Sequence, residues 1–263
     1  MKVKPLARHE AGQGATAVLL LHGIGGGRGI WGGTPVALAA AGYRAIAVDL
    51  PGYGDSVDCG PATLDGFVEA TIALIAETAA QRTVLLGHSM GGMVAQELVA
   101  RRPELVQGLV LACTSAAFGS SDGDWQARFV AARLAPLEAG LGMEALAAQL
   151  VPDLVSPAAP PELLARARDV MARVPEATYR SALRAIAGFD RRAALAAVRV
   201  PTLLLAAEHD RTAPPELMQR MAARIAGADY RCVANAGHIA NVEAPAAFDA
   251  EVLGFLQRHF PPS

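Results

Sequence analysis

A serine between glycines, Gly87-His88-Ser89-Met90-Gly91, stands where the apolar run Thr83-Val84-Leu85-Leu86 gives way to a helical pattern. The G-x-S-x-G spacing suits a nucleophile raised on a sharp strand-to-helix turn. Such a turn forces the serine into a strained backbone conformation, and the glycines two positions away let neighbouring chain pass close by. At the start of the following helix the macrodipole favours developing negative charge. A serine hydroxyl needs a general base, and the base needs a carboxylate to orient it. Both lie downstream in the order acid, then base. Glu208 and Asp210 compete for the acid, just past Leu203-Leu204-Leu205. Asp210 is the choice, because the loop before Pro214 leaves it further from the strand and freer to turn inward. His88, His209 and His238 compete for the base. His88 neighbours Ser89, so its side chain is expected to point away, and His209 sits beside the acid. His238, after the run Tyr230-Arg231-Cys232-Val233, is the expected base.

Acyl transfer also needs backbone N–H groups aimed at the tetrahedral oxygen. One comes from the residue after the nucleophile, Met90, and the second from an upstream loop. His22-Gly23-Ile24-Gly25-Gly26 follows the apolar run Ala17 to Leu21, and flanking glycines let the Ile24 amide turn inward. The same loop holds a rival pattern. Gly27-Arg28-Gly29-Ile30-Trp31-Gly32 matches G-x-G-x-x-G, with Asp49 closing the next apolar run, as in a dinucleotide-binding fingerprint. That match begins several residues past the strand and leaves Ser89, Asp210 and His238 unexplained. No Gly-Lys-Ser/Thr follows, which excludes a Walker A loop.

These residues need a scaffold that gathers loops at one edge. Short apolar runs near residues 17–21, 45–48, 83–86, 109–112, 202–205 and 230–233 alternate with helical patterns at 31–41, 64–80, 90–102, 214–226 and 245–259. Continuous apolar runs of this length mark parallel strands covered on both faces. The βαβα alternation predicts an α/β fold, with a mostly parallel central sheet flanked by helices. About one strand fits between Lys2 and Glu10. From Ala116 to Arg192 no strand pattern occurs, only helical stretches at 124–139, 143–150, 161–174 and 176–187, punctuated by Pro152, Pro157, Pro160, Pro161 and Pro175. This predicts a helical insertion between two sheet strands, because strand-type runs resume at Val200.

Composition agrees with a packed globular chain of 263 residues, 52% hydrophobic and 18% charged. With a formal net charge of −2 and no Lys/Arg cluster, neither nucleic acid nor an anionic membrane is an expected partner. Cys59, Cys113 and Cys232 are too few and too widely spaced for a disulfide framework or zinc site. They point to a reducing compartment, with Cys113 a small core residue. The basic N-terminus lacks an apolar segment after it, and no stretch is long enough to span a bilayer, so a cytoplasmic location is expected.

Four motifs stand in order: His22-Gly23-x-Gly25, Asp49-Leu50-Pro51-Gly52-Tyr53-Gly54-Asp55-Ser56, Gly87-His88-Ser89-Met90-Gly91-Gly92 and Gly237-His238. Together they resemble the α/β-hydrolase superfamily over nearly the whole chain. The resemblance implies a core of residues 1–115 and 193–263, with residues 116–192 as a helical cap that shapes the acyl pocket. It implies Ser89, Asp210 and His238 as the triad and the Ile24 and Met90 amides as oxyanion donors, with no metal and no cofactor. Within the superfamily the chain is most similar to small serine esterases of the 3-oxoadipate enol-lactonase type. The expected activity is hydrolysis of a small-molecule ester or lactone. Those lactonases often lack the His-Gly-x-Gly form. Carbon–carbon hydrolases of aromatic ring-cleavage pathways share it, but usually carry Asn where this chain has His88. A hydrolase-like ligand receptor is the third reading. Trp125 and Phe129 are the substrate-contact candidates, with Leu134, Leu150, Met171 and Tyr179 as further pocket residues and Arg128, Arg133 and Arg184 as possible carboxylate ligands. The sequence sets no oligomeric state.

Overall fold

A computed structural model describes residues 5–56, 60–119 and 123–262; the sequence expectations for residues 1–4 and for Cys59 lie outside them. The strands are β1 (Arg8–Ala11), β2 (Thr16–Leu21), β3 (Arg44–Val48), β4 (Arg82–His88), β5 (Gly108–Ala112), β6 (Thr202–Ala207) and β7 (Asp229–Val233). They form one sheet in the order β1-β3-β2-β4-β5-β6-β7. β1 pairs antiparallel with β3 at one edge, and every other pair is parallel. One strand precedes β2 among the described residues, as the short N-terminal segment predicts.

The sheet is apolar in continuous runs because both faces are covered. Successive side chains point to opposite faces. Leu19, Leu21, Leu85, Leu109, Leu111 and Leu204 pack into one buried cluster, while Val18, Leu20, Val84, Leu86, Val110, Leu203 and Leu205 pack into the other. Helices α1 (Thr34–Ala40), α2 (Leu64–Thr78) and α3 (Met90–Arg101) alternate with the first strands, and α8 (Pro215–Ala222), α9 (Ala240–Glu243) and α10 (Pro245–His259) with the last. Registers place Leu21 opposite Gly87 and His88 opposite Ala112. The carboxyl ends of β2, β4 and β5 therefore meet at one edge, where loops of an open parallel sheet bind ligands.

Between β5 and β6 run α4 (Gly123–Glu138), α5 (Gly142–Leu154), α6 (Pro161–Ala172) and α7 (Glu176–Ala187), in line with the helical stretches read from the sequence. α5 runs past its expected end at 150 and through Pro152, and α4 contains Pro136 within the expected stretch. Each proline falls in the last turn or so of its helix, where few following residues depend on the lost ladder bond. The two ends of the excursion are hydrogen-bonded to each other. Ala117 and Asp190 form an antiparallel bridge, the Phe118 N–H donates to the Phe189 carbonyl at 2.8 Å, and the Arg191 N–H donates to the Ala116 carbonyl at 2.7 Å. No helix among the described residues is long and apolar enough to cross a membrane.

Candidate active site

Ser89 sits between β4 and α3 with φ 52° and ψ −117°, a conformation non-glycine residues rarely adopt. Its surroundings hold it there. The Ser89 N–H donates to the Ala112 carbonyl at 3.0 Å, and its carbonyl accepts from Gly92 N–H, Met93 N–H and the Thr114 hydroxyl. A Cβ on Gly91 would stand 2.0 Å from the Leu21 carbonyl oxygen, so the elbow tolerates no side chain there.

The Ser89 hydroxyl lies 3.0 Å from His238 Nε2, and His238 Nδ1 lies 2.8 Å from Asp210 Oδ2. The structure thus brings together the three residues singled out for nucleophile, base and acid. His238 and Asp210 are buried, 5% and 3% exposed. The other Asp210 oxygen accepts from the Thr212 and Ala213 amides at 2.7 and 2.9 Å, so the acid is locked in an Asx turn and is not freed by its loop position. Burial pushes the Asp210 carboxyl up, but the His238 ring and the two amides outweigh it and hold it below the usual carboxylate range. Glu208 is exposed and accepts from the Asn235 N–H at 2.8 Å. His209 contributes its N–H to the Ala236 carbonyl.

Two neighbours of this group take supporting positions that the local sequence does not reveal. The His88 ring is buried behind His238, and its Nε2–H donates to the His238 carbonyl. Glu243, on α9, accepts from Gly237 N–H at 2.8 Å and from Ser156 N–H at 2.9 Å, joining the His238 loop to the segment after α5. The Glu243 contact could be sought only as a carboxylate a few residues beyond His238; its partner at Ser156 lies 87 residues away.

The loop after β2 crosses close to the nucleophile. A Cβ on Gly23 would lie 3.1 Å from Ser89 Cβ. Ile24 lines the cavity beside Ser89, and Met90 begins α3. Neither the Ile24 nor the Met90 amide has an acceptor among the described residues. His22 braces the loop from beneath: its Nδ1–H donates to the Gly23 carbonyl at 2.8 Å and its Nε2 accepts from the Leu50 N–H at 3.0 Å. Gly27 to Gly32 forms a 3-10 turn over Arg28–Trp31, and Asp49 accepts from the Arg28 amide and guanidinium. The carboxylate that a dinucleotide fingerprint would offer to a ribose is thus engaged within the protein.

A cavity of about 700 Å³ opens onto Ser89 and His238. Trp125 and Phe129 both line it, stacked 5.0 Å apart on α4. Met171, Tyr179 and Arg133 line it as well, whereas Leu134, Leu150, Arg128 and Arg184 do not. Cys113, also in the lining, is a buried free thiol that burial, and then the nearby Asp210 charge, push above the usual range. Chemically, the arrangement offers an oriented hydroxyl, a base held by a carboxylate, unused amides beside the hydroxyl and an apolar chamber in which a small molecule can sit.

The sequence model of the alpha/beta hydrolase family matches residues 18–251. A protein of Variovorax paradoxus, named as a candidate carbamate hydrolase, is 35% identical over 254 residues, covering 92% of each chain. Among solved structures, a thermophilic esterase from Thermogutta terrifontis superposes with a TM-score of 0.85 at 29% identity, over 97% of this chain and 94% of its own. The enol-lactonase from Burkholderia xenovorans superposes with a TM-score of 0.86 at 28% identity, over 96% of each chain.

Proposed function

Because the chain belongs to the alpha/beta hydrolase family, with relatives of the esterase and lactonase type, we propose that it is a carboxylic ester hydrolase that opens a small-molecule ester or lactone through an acyl-enzyme intermediate. The observation that carries this reading is the continuous chain Ser89 hydroxyl, His238 imidazole and Asp210 carboxylate at the mouth of the apolar cavity.

In this reading His238 Nε2 takes the Ser89 proton as the oxygen attacks the carbonyl carbon. The Ile24 and Met90 amides, which have no other acceptor among the described residues, hold the oxyanion. His238 then gives the proton to the leaving oxygen, which departs as an alcohol or, from a lactone, stays as a hydroxyl on the acyl chain. Water, deprotonated by the same imidazole, attacks the acyl-serine and releases the acid while His238 returns the proton to Ser89. Asp210 fixes the proton-bearing nitrogen of His238 as Nδ1 and stabilises the imidazolium formed midway. We further propose that residues 116–192 act as a cap over a core of residues 1–115 and 193–263, with Trp125 and Phe129 contacting the acyl chain. The test is p-nitrophenyl acetate hydrolysis by Ser89→Ala. A fall of about 10³-fold or more is expected; undiminished activity would overturn the assignment.

A further inference from the structure

The cavity that opens onto Ser89 is unbalanced in charge. Its lining is mostly apolar, yet three arginines, Arg133, Arg166 and Arg211, border it against a single carboxylate, Asp153. Asp153 is committed to Arg211, 3.2 Å away. Neither Arg133 nor Arg166 has a carboxylate partner among the described residues. Arg166 is exposed, where water solvates it; Arg133 is half-buried. A half-buried guanidinium facing an apolar chamber is costly unless something pairs with it.

Arg133 is also braced. Trp125, Phe129 and Arg133 recur every four residues and so share one face of α4, and all three reach the cavity. The guanidinium carbon sits 4.8 Å from the centroid of the Phe129 ring, a geometry in which the ring face attracts the cation. That ring is clamped by Trp125 at 5.0 Å and edge-on by Phe118 at 5.1 Å. The buried Tyr179 hydroxyl of α7 lies beside the guanidinium. Neither an aromatic face nor a phenol neutralises the charge, so the fork of N–H donors is ordered and still lacks a counter-ion. A carboxylate matches that fork with two parallel hydrogen bonds.

We infer that Arg133 is the carboxylate-binding group of this cavity, so that the ester or lactone cleaved at Ser89 carries a free carboxylate remote from its scissile carbonyl. The statement about cleavage rests on the serine-hydrolase reading, whereas the statement about binding does not. Arg166, with the cavity's net positive border, draws such an anion in.

Methyl esters of dicarboxylic acids from succinate to adipate test it, each compared as the monomethyl and the dimethyl ester, which differ in the free carboxylate. At one chain length or more the monomethyl ester should be preferred by about tenfold or more in kcat/KM. Arg133→Met should cut its kcat/KM about tenfold or more while changing the dimethyl ester less than about threefold, and Arg133→Lys should restore part of the difference. Arg133→Gln replaces the methionine variant should that one melt early. Equal losses on both esters, or no preference in the parent protein, would overturn the inference. Calorimetric titration of the same esters into Ser89→Ala protein separates binding from chemistry. If that protein binds monomethyl over dimethyl ester and Arg133→Met abolishes the preference, the site stands even where turnover is absent. If it shows no preference at any length, the site does not exist.

Discussion

The His88 ring holds the backbone of His238: its Nε2–H donates to the His238 carbonyl at 2.8 Å, with the rings 5.1 Å apart. A carbonyl only accepts, so Nε2 carries the proton and Nδ1 is bare, buried and without a partner among the described residues. Burial, and then the neighbouring His238 ring, push the His88 pKa down to about 3; burial likewise lowers His22 to about 4. Both are neutral wherever the protein is folded at ordinary pH.

Acid therefore weakens the fold through these two histidines. Below their ordinary pKa of 6.5 the unfolded chain binds protons that the folded chain refuses until pH 4 and below. Stability accordingly falls on acidification from 6.5 to 4, by about 1.4 kcal/mol per pH unit for each histidine. His88→Asn keeps a donor for the His238 carbonyl and removes one titration. Urea denaturation across that range should show the slope of unfolding free energy against pH flatten by about 1.4 kcal/mol per unit; an unchanged slope means that His88 is protonated in the fold.

Gly91→Ala and Gly25→Ala should separate by position alone. Alanine normally favours a helix over glycine, but at Gly91 its Cβ meets the Leu21 carbonyl oxygen at 2.0 Å. Backbone must shift, at about 3 kcal/mol or more, equivalent to a fall of roughly 6–12 °C in Tm. At Gly25 the nearest atoms are the flexible Met171 side chain at 3.5 Å, so Tm should stay within a degree or two, about 0.5 kcal/mol. Calorimetric melting of the two variants decides.

Asp49 is 2% exposed and holds the loop after β2 through the Arg28 amide and guanidinium. Its loss should disturb the Ile24 amide more than the acyl pocket. Asp49→Ala is expected to lower kcat about 10–100-fold with KM within about threefold, the signature of donors that act in the transition state. Steady-state kinetics on one ester measure both; a rise in KM with kcat intact would place Asp49 outside the oxyanion machinery.

Glu243→Ala strips the acceptor from two backbone amides, Gly237 and Ser156. Stability should drop by about 2–4 kcal/mol in chemical denaturation. kcat should fall even under conditions where the variant is fully folded, because the loop carrying His238 loses one of its ties. Glu243→Gln retains one acceptor oxygen and should recover part of both losses.

The strands and the elbow were legible because each obeys a local rule. Val84 to Leu86 reads as strand since both faces of β4 are covered, and Ser89 reads as nucleophile since the turn permits few residues around it. Loop position favours Asp210 over Glu208, but the structure gives a different reason: the Asx turn at Thr212 and Ala213 aims it, whereas Glu208 serves the Asn235 amide. Contacts that span the chain had no local trace. His88 was expected to point away from the site; its ring instead supports the site from behind, through a bond across 150 residues. Likewise Arg128, Arg133 and Arg184 are equivalent as sequence; of the three only Arg133, on the face of α4 that carries Trp125 and Phe129, lines the cavity.

The bridge between Ala117 and Asp190 makes residues 118–189 a closed excursion that leaves and re-enters the sheet at one point. β5 and β6 pair in register from Leu109 with Thr202 to Ala112 with Leu205, and the neck beyond them is zipped by its own backbone. Provided that the tie of Ser156 to Glu243 is kept, the segment that shapes the cavity can therefore lengthen, shorten or be exchanged as a cassette while the hydroxyl, imidazole and carboxylate keep their spacing.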